Sequence, residues 1–376
     1  MIENPLLYLL TLAFIVTFFY LLESKSHFKV FTYLPAVVII YAFNMFLASF
    51  GVYELNDGQK ELYTLTKTNL LPAMLFLMLL QVDFSQFIRL GKSLVLAYTL
   101  SVLSIAFSFI VIASFFSFSQ DMAAAFGALA GSWMGGTANM VAVGSALGVS
   151  EEAFAYALVV DSVNYTIWVM FLLFLVPFAK GFNNFTKASW NTIGLGEIAC
   201  ACTMGTPRYW SLILLALGVS LLTQFVSKEF VFISETTSMV LFATLFGVIG
   251  SFTRLRELYG SSELATTMLY LLVALIGSQA IIESFWGVGL YVFAGMCILL
   301  LHALIMVVSA KIFKLDLFSI AVASLANIGG VASAPILAAA YDKRLVGIGV
   351  LMAIMGYLAG TFGGLFVGNI LLELSK

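Results

Sequence analysis

Apolar residues run along this chain in long blocks that short polar connections separate. About ten blocks are long enough, or nearly so, to cross roughly 30 Å of hydrocarbon as a helix that rises about 1.5 Å per residue. Two further apolar blocks, 121–148 and 317–341, each carry a glycine pair near the middle. The ten predicted spans lie near residues 5–22, 33–53, 67–82, 92–118, 151–178, 209–227, 236–252, 262–282, 286–310 and 344–372.

The composition agrees with this pattern. Hydrophobic residues make up 62% of the 376 residues, charged residues 10%, and the mean hydropathy is +1.07. This leaves too little polar surface to cover a water-soluble globule. We therefore predict an all-α polytopic membrane protein that contacts the lipid bilayer and no nucleic acid. The first apolar segment lacks a preceding basic region, so we expect it to be retained as a span.

The two glycine-containing blocks decide the topology. If both are re-entrant hairpins and the N-terminus is outside, 13 of the 17 Lys and Arg residues fall on the cytoplasmic side. If both cross the membrane, 7 fall inside and 10 outside, against the positive-inside rule. The charges favour hairpins, with both termini outside. For 317–341 the charge evidence rests on Lys343 and Arg344, so a broken full span stays open.

A re-entrant hairpin does not cross the membrane, so each half has five crossings, an odd number, and the halves are predicted to be inverted repeats. The first repeat covers 1–178 with its hairpin at 121–148. The second covers 209–376 with its hairpin at 317–341, and 179–208 forms a cytoplasmic connector. Each arm has about 10 to 13 residues, which reach mid-membrane and return.

The hairpin tips carry the residues expected of a binding site. Backbone that leaves the helix at membrane depth needs a polar cavity or a ligand, and glycine permits close approach of both. The helix that follows each turn directs its positive end at the centre, where a carboxylate can bind. Close helix packing by small residues is the alternative. The predicted solute-binding residues are Gly135, Gly136, Thr137, Asn139, Asn327, Gly329, Gly330 and Ser333.

Asp161 lies about ten residues into the fifth predicted span. A carboxylate at that depth needs a proton, a basic neighbour or a cation. Asn164 follows one turn later, Ser162 is adjacent, and Asn139 lies at the first tip, so these side chains supply oxygen ligands for sodium. A protonated Asp161 bonded to a neighbouring helix is the alternative.

Other polar residues have more than one interpretation. His302 either relays protons or is a packed, hydrogen-bonded side chain. Asn44, Asn69 and Gln279 either line a solute path or bridge helices. Cys200 and Cys202 are too few for a zinc site, so we predict no cofactor and no metal beyond sodium.

The motif residues at 131–140, 161–165, 327–330 and 334–335 resemble those of the YjcL-like family of uncharacterised membrane proteins (domain of unknown function 819). That family is similar to the superfamily of glutamate:sodium symporters, bile-acid symporters and cation:proton antiporters. The resemblance implies a scaffold domain, a core domain, two hairpins or broken helices, and elevator-type alternating access. Electrogenic antiporters of the superfamily carry paired acidic residues, whereas Ser162 follows Asp161 here.

These features predict secondary active transport, with sodium-coupled symport of an amino acid, short peptide or organic acid. Cation:proton antiport is the alternative within transport, and a membrane receptor or structural protein is the alternative of another class. No H-E-x-x-H or G-x-S-x-G motif occurs, so an enzyme is not expected. We expect the protein to lie in the inner membrane of a bacterium, where it can form a homodimer.

Overall fold

The structure, a computed structural model, describes residues 2–25, 36–53, 56–80, 82–188, 206–231, 234–258, 260–280, 287–342 and 345–376. These residues are mostly helical. Two 3-10 helices, Val176–Phe178 and Arg254–Glu257, accompany the α-helices. In chain order, the α-helices are α1 (Pro5–Lys25), α2 (Ala36–Ser49), α3 (Asp57–Leu79), α4 (Phe84–Arg89), α5 (Lys92–Ala113), α6 (Gln120–Gly135), α7 (Thr137–Leu147), α8 (Glu151–Leu175), α9 (Ala179–Thr186), α10 (Thr206–Glu229), α11 (Glu235–Ser251), α12 (Ser261–Gly277), α13 (Val288–Phe313), α14 (Leu317–Ile328), α15 (Gly330–Tyr341) and α16 (Val346–Leu374).

Within the described residues, seven helical segments are long and apolar enough to cross a membrane: those at α1, α3, α5, α8, α10, α13 and α16. The other three predicted spans correspond to α2, α11 and α12, which are apolar helices of 14, 17 and 17 residues. These helices confirm the predicted class, a polytopic helical membrane protein. The number of membrane crossings stays a prediction.

Helix α3 begins ten residues before the predicted third span. Asn56 caps it, because its side chain accepts a hydrogen bond from the Gln59 N–H at 3.0 Å. The residues between Asp57 and Thr66 are largely polar, so hydropathy detected only the second part of the helix.

Both glycine-containing blocks fold back on themselves. A Cβ on Gly131 would lie 3.0 Å from Val143 Cγ2, although residues this far apart in one straight helix are separated by about 18 Å. In the second block, the rings of Phe318 and Tyr341 lie 5.4 Å apart, centroid to centroid. Each block is therefore a helical hairpin, α6–α7 or α14–α15. This geometry favours the hairpin over a broken full span for 317–341, while the membrane side of each hairpin stays a prediction.

The chain divides into two compact units, each assembled from three stretches. Unit 1 comprises Met1–Gln81, Val149–Ser162 and Thr203–Val288, and unit 2 comprises Val82–Gly148, Val163–Cys202 and Gly289–Lys376. Each predicted repeat contributes its first three predicted spans to unit 1 and its hairpin to unit 2. The repeats and their inversion stay a prediction.

Hydrogen bonds between polar side chains tie together the helices of unit 1. Gln224 Nε2 donates to Asn69 Oδ1 at 3.1 Å, which joins α10 to α3. Gln279 Nε2 donates to the Tyr8 hydroxyl at 3.3 Å, and Asn44 Oδ1 accepts a tyrosine hydroxyl from the segment after α2. These bonds support the bridging interpretation for Asn69 and Gln279, whereas the bond of Asn44 stays within α2 and the segment that follows it.

The predicted connector 179–208 begins with a short helix, α9, which places Phe182 and Phe185 on one side and Lys180 on an exposed position. Residues 189–205, with Cys200 and Cys202, lie outside the described residues, as do Lys343 and Arg344.

Candidate functional site: two helical hairpins

The first hairpin turns at a single residue, Gly136. Its φ of 88° and ψ of 170° define a backbone conformation that essentially only glycine adopts. The Gly136 N–H donates to the Ser132 carbonyl at 2.6 Å, and the Gly136 carbonyl accepts the Asn139 N–H at 2.9 Å. Gly136 and Thr137 are half-buried, whereas Gly135 and Asn139 are buried. Gly136 and Thr137 are thus the residues of the turn that a ligand can approach.

The Asn139 side chain is bonded on both sides within unit 2. Its Nδ2 donates to the Gly135 carbonyl at 2.8 Å and lies 3.5 Å from the Gly356 carbonyl. Its Oδ1 accepts the Thr361 hydroxyl at 2.6 Å. Asn139 therefore holds the turn and ties it to α16. A ligand role for Asn139 stays a prediction, and it would require these bonds to be shared.

Glycines join α6 to α16 without intervening side chains. A Cβ on Gly127 would lie 2.5 Å from Gly368 Cα, and a Cβ on Gly364 would lie 2.6 Å from Gly131 Cα. A Cβ on Gly135 would overlap the Gly356 carbonyl oxygen. Gly135 thus has a close-packing role, which the sequence analysis gave as the alternative to solute binding. We call these residues the glycine seam: Gly127, Gly131 and Gly135 on α6 and Gly356, Gly360, Gly364 and Gly368 on α16.

The second hairpin turns at two glycines. Gly329 ends α14, and Gly330, with a φ of +62°, begins α15. A Cβ on Gly329 would lie 2.7 Å from Tyr165 Cε2 and would overlap Ser333 Oγ. Gly329 therefore allows α8 and the start of α15 to come close to the turn.

Two side-chain oxygens at the second turn have no hydrogen-bond partner in the part of the chain that the structure describes. They are Asn327 Oδ1 and Ser333 Oγ, on residues that are 0% and 3% exposed. The Asn327 amide nitrogen, in contrast, donates to Ser101 Oγ and to the Ala323 carbonyl, both at 3.0 Å. A buried polar atom left unpaired costs about 1–3 kcal/mol. Such atoms at a broken helix point to a ligand, an ion or water as the partner.

A chain of hydrogen bonds links the second hairpin to α5, α8 and α13. Trp168 Nε1 donates to Ser324 Oγ at 3.0 Å, and Ser324 Oγ lies 2.8 Å from His302 Nε2. His302 Nδ1 lies 2.6 Å from Ser104 Oγ, which donates to the Ser101 carbonyl at 2.9 Å. These donors and acceptors are consistent with a neutral His302 that is protonated at Nδ1.

The sequence interpretation missed most of this chain. A recognisable signal was available, since α5 carries serines at 101, 104 and 108 along one otherwise apolar helix, and all three are buried. The bonds of His302 agree with the packed, hydrogen-bonded alternative, and the proton-relay alternative stays a prediction.

Three of the four predicted cation ligands lie on one turn of α8, and the fourth, Asn139, lies in α7 beside the first hairpin turn. Asp161 and Ser162 are 8% exposed, and Asn164 is 0% exposed. Ser162 Oγ donates to the Leu158 carbonyl at 2.8 Å, and Asn164 Nδ2 donates to the Val292 carbonyl of α13 at 3.2 Å. Asp161 and Ser162 belong to unit 1 and Asn164 to unit 2, so the structure groups these three residues by helix position alone.

The polar atoms at the second turn determine which ligands can bind there. Within the described ranges, no three His, Cys, Asp or Glu side chains are grouped as metal ligands. The unpaired amide and hydroxyl oxygens suit a hard cation or a solute group that donates hydrogen bonds. The first N–H groups of α15 suit an anion such as a carboxylate.

Known proteins match nearly the whole chain, including both hairpins and α8. The uncharacterized membrane protein YjcL of Bacillus subtilis (strain 168) is 23% identical over 385 residues, which cover 92% of this chain and 92% of that protein. The family described as "Protein of unknown function (DUF819)" matches residues 9–374. This match confirms the resemblance found in the motifs, and the chain belongs to the DUF819 family.

Proposed function

We propose that this membrane protein is a secondary active transporter that couples sodium to the symport of a small carboxylate-bearing solute. The observation that carries the proposal is the pair of buried oxygens, Asn327 Oδ1 and Ser333 Oγ, at the turn of a helical hairpin. A packed structural turn would pair these atoms or replace them with apolar groups, because leaving them unpaired lowers stability.

The chemistry of the second turn narrows the solute class. The start of α15 favours a carboxylate, while Asn327 Oδ1 accepts hydrogen bonds and so favours a donor group close to that carboxylate. An amino acid or a short peptide presents both groups. An organic acid presents the first and would need a hydroxyl for the second. At the first hairpin, the half-buried Gly136 and Thr137 would offer backbone groups to the same solute.

Sodium would bind at Asp161, with Ser162 and Asn164 as further oxygen ligands. A carboxylate buried in a membrane helix favours a bound cation, because the cation offsets the cost of desolvating the charge. Cation and solute would each raise the affinity for the other.

The transport cycle would follow the elevator type of alternating access implied by the superfamily resemblance. The core domain of that mechanism would correspond to unit 2, which contains both hairpins, and the scaffold to unit 1. Ten spans and two re-entrant hairpins, with both termini outside the bacterial inner membrane, complete the proposed topology. A homodimer built through the scaffold is part of the same expectation.

The test of the cation is the melting temperature of the full-length protein in detergent, in NaCl against KCl at equal ionic strength. We expect sodium to raise the melting temperature with its concentration, and Asp161→Asn to abolish the rise. Asp57→Asn is the control, because Asp57 is an exposed residue at the start of α3. An equal response to both salts, or a sodium response that persists in Asp161→Asn, would exclude this site.

The test of the solute is a screen of amino acids, short peptides and organic acids in sodium, followed by uptake into proteoliposomes. Uptake driven by a sodium gradient supports symport. A sodium response with pH-dependent sodium flux and no organic solute would instead favour cation:proton antiport. Absence of all flux, together with full tolerance of Asp161→Ala, would favour a receptor or structural protein.

A further inference from the structure

Unit 2 contains an apolar cavity of about 330 Å³ that neither hairpin turn uses. This volume lies within the range of about 300–1,000 Å³ that is typical of ligand pockets. Its walls come from α8, α9, α13 and α14, and from the 3-10 helix after α8. The cavity has two distinct ends, which determine what it can hold.

Among the described residues that line the deep end, no polar group is free. Trp168, His302 and Ser324 line it, and all three are at most 5% exposed. Their polar atoms are already bonded to one another and to Ser104, as described above. A ligand group at this end therefore meets hydrocarbon surface and saturated hydrogen bonds, so that group must itself be apolar.

The mouth lies beside the amphipathic helix α9. Phe178 and Phe185 line it and are 54% and 52% exposed. Lys311 lies at the mouth, because its Nζ donates a hydrogen bond to the Phe185 carbonyl and lies 4.1 Å from the centre of the Phe185 ring.

Four lysines lie on or next to the helices that form the mouth. Lys311 and Lys314 lie at the end of α13, and Lys180 and Lys187 lie at the two ends of α9; all four are exposed. The acidic residue of this segment, Asp316, accepts hydrogen bonds from Ser319 N at 2.9 Å and Ser319 Oγ at 2.7 Å as the cap of α14. The lysine charges are thus available to an anionic ligand, and the sequence predicts this end to be cytoplasmic.

We infer that this cavity is a binding site for an anionic phospholipid. One acyl chain would occupy the cavity as far as Trp168, and the phosphate would lie at Lys311 with the other three lysines around it. An apolar cavity with saturated polar groups, next to a basic mouth at the predicted membrane interface, matches an acyl chain joined to an anionic headgroup. A solute of the hairpin turns would need polar partners that this cavity does not offer.

The experiment compares phosphatidylglycerol with phosphatidylcholine of the same acyl chains, added to the detergent-purified full chain. We expect phosphatidylglycerol to raise the melting temperature by about 2–4 °C more than phosphatidylcholine does. Lys311→Gln should remove this difference, whereas Lys376→Gln, a charge removal at the C-terminus, should preserve it. Equal stabilisation by the two lipids, or an unchanged difference in Lys311→Gln, overturns the headgroup assignment.

A second variant tests the acyl chain. Ala303 is half-buried and lines the cavity, so Ala303→Phe should fill it; Ala13→Phe, at a half-buried position of α1, is the control for added volume. Native mass spectrometry of the folded fractions should show loss of bound phosphatidylglycerol in Ala303→Phe alone. Retention of the lipid in Ala303→Phe, or its equal loss in Ala13→Phe, overturns the cavity assignment.

Discussion

The two hairpins share a sequence skeleton but differ in how their polar side chains are paired. In the first hairpin, Asn139 is bonded to Gly135 and Thr361, and glycines bring α6 directly onto α16. In the second hairpin, Asn327 Oδ1 and Ser333 Oγ are buried and unpaired within the described residues. The first turn is therefore built as a satisfied packing element, and the second retains groups that suit a ligand.

This difference teaches that a repeated motif does not imply repeated chemistry. Asn139 and Ser333 occupy equivalent positions, each four residues after the first glycine of its pair. Their environments differ because Thr361 of α16 donates a hydrogen bond to Asn139, whereas the Ser333 side chain lies against Gly329. In the proposed transporter, we expect substitutions in the first hairpin to change stability and substitutions in the second to change ligand response.

The largest effect is expected from Gly135→Ala. The added methyl group would overlap the Gly356 carbonyl, which is backbone and cannot move independently, so we expect a loss of about 3 kcal/mol or more. Gly218→Ala in α10 is the control, because nothing lies within 4 Å of the added group. The measurement is the melting temperature in detergent. A Gly135→Ala protein as stable as Gly218→Ala would contradict the glycine seam.

An intermediate effect is expected from alanine at the two turn glycines with positive φ. Space for a Cβ is open at both Gly136 and Gly330, so the cost comes from the backbone alone. Gly136, at φ 88° and ψ 170°, should lose about 2–3 kcal/mol, and Gly330, at φ +62°, about 1–2 kcal/mol. Thermal unfolding of both variants gives the order, and a more stable Gly136→Ala would reverse the comparison.

The smallest change in stability, and the sharpest test of the comparison, comes from removing one hydroxyl in each hairpin's contacts. Thr361→Val removes the donor to Asn139 Oδ1 and should cost about 0.6–2 kcal/mol. Ser333→Ala removes an unpaired hydroxyl, so stability should stay equal or rise slightly. Ser333→Ala should nevertheless lose the response to solute in the sodium screen. Loss of stability in Ser333→Ala without any change in solute response would assign Ser333 to packing.

The sequence predicted the elements whose signal is local. Long apolar blocks identified the apolar helices, and the glycine pairs identified both turns, because a break in a membrane helix needs residues that permit it. Helix α3 begins ten residues before the predicted third span, because its first turns are polar and hydropathy does not detect them. The helix within the predicted connector was also missed, because α9 is short and only one side is apolar.

The sequence did not predict which residues far apart in the chain contact each other. The glycines of α16 recur every four residues, but nothing in that spacing names α6 as their partner. The pairing of Asn139 with Thr361 joins positions 222 residues apart, and that of Ser104 with His302 joins positions 198 residues apart. Which oxygens at the turns are satisfied depends on these distant partners. The two hairpin turns could thus be located from the motifs, while the unequal pairing of their polar side chains could not.

The glycine seam also raises the question of what fixes the alignment of α6 along α16. Glycines recur every four residues on both helices, so a slide by one repeat, about 6 Å, would again place glycine against glycine. Small-residue packing alone does not distinguish these alignments. The bond from Thr361 to Asn139 does distinguish them, since a slide would leave both groups buried without each other. This bond therefore specifies the register of α6 along α16, as a single buried asparagine does in a coiled coil. Without it, we expect α6 and α16 to pack in more than one register.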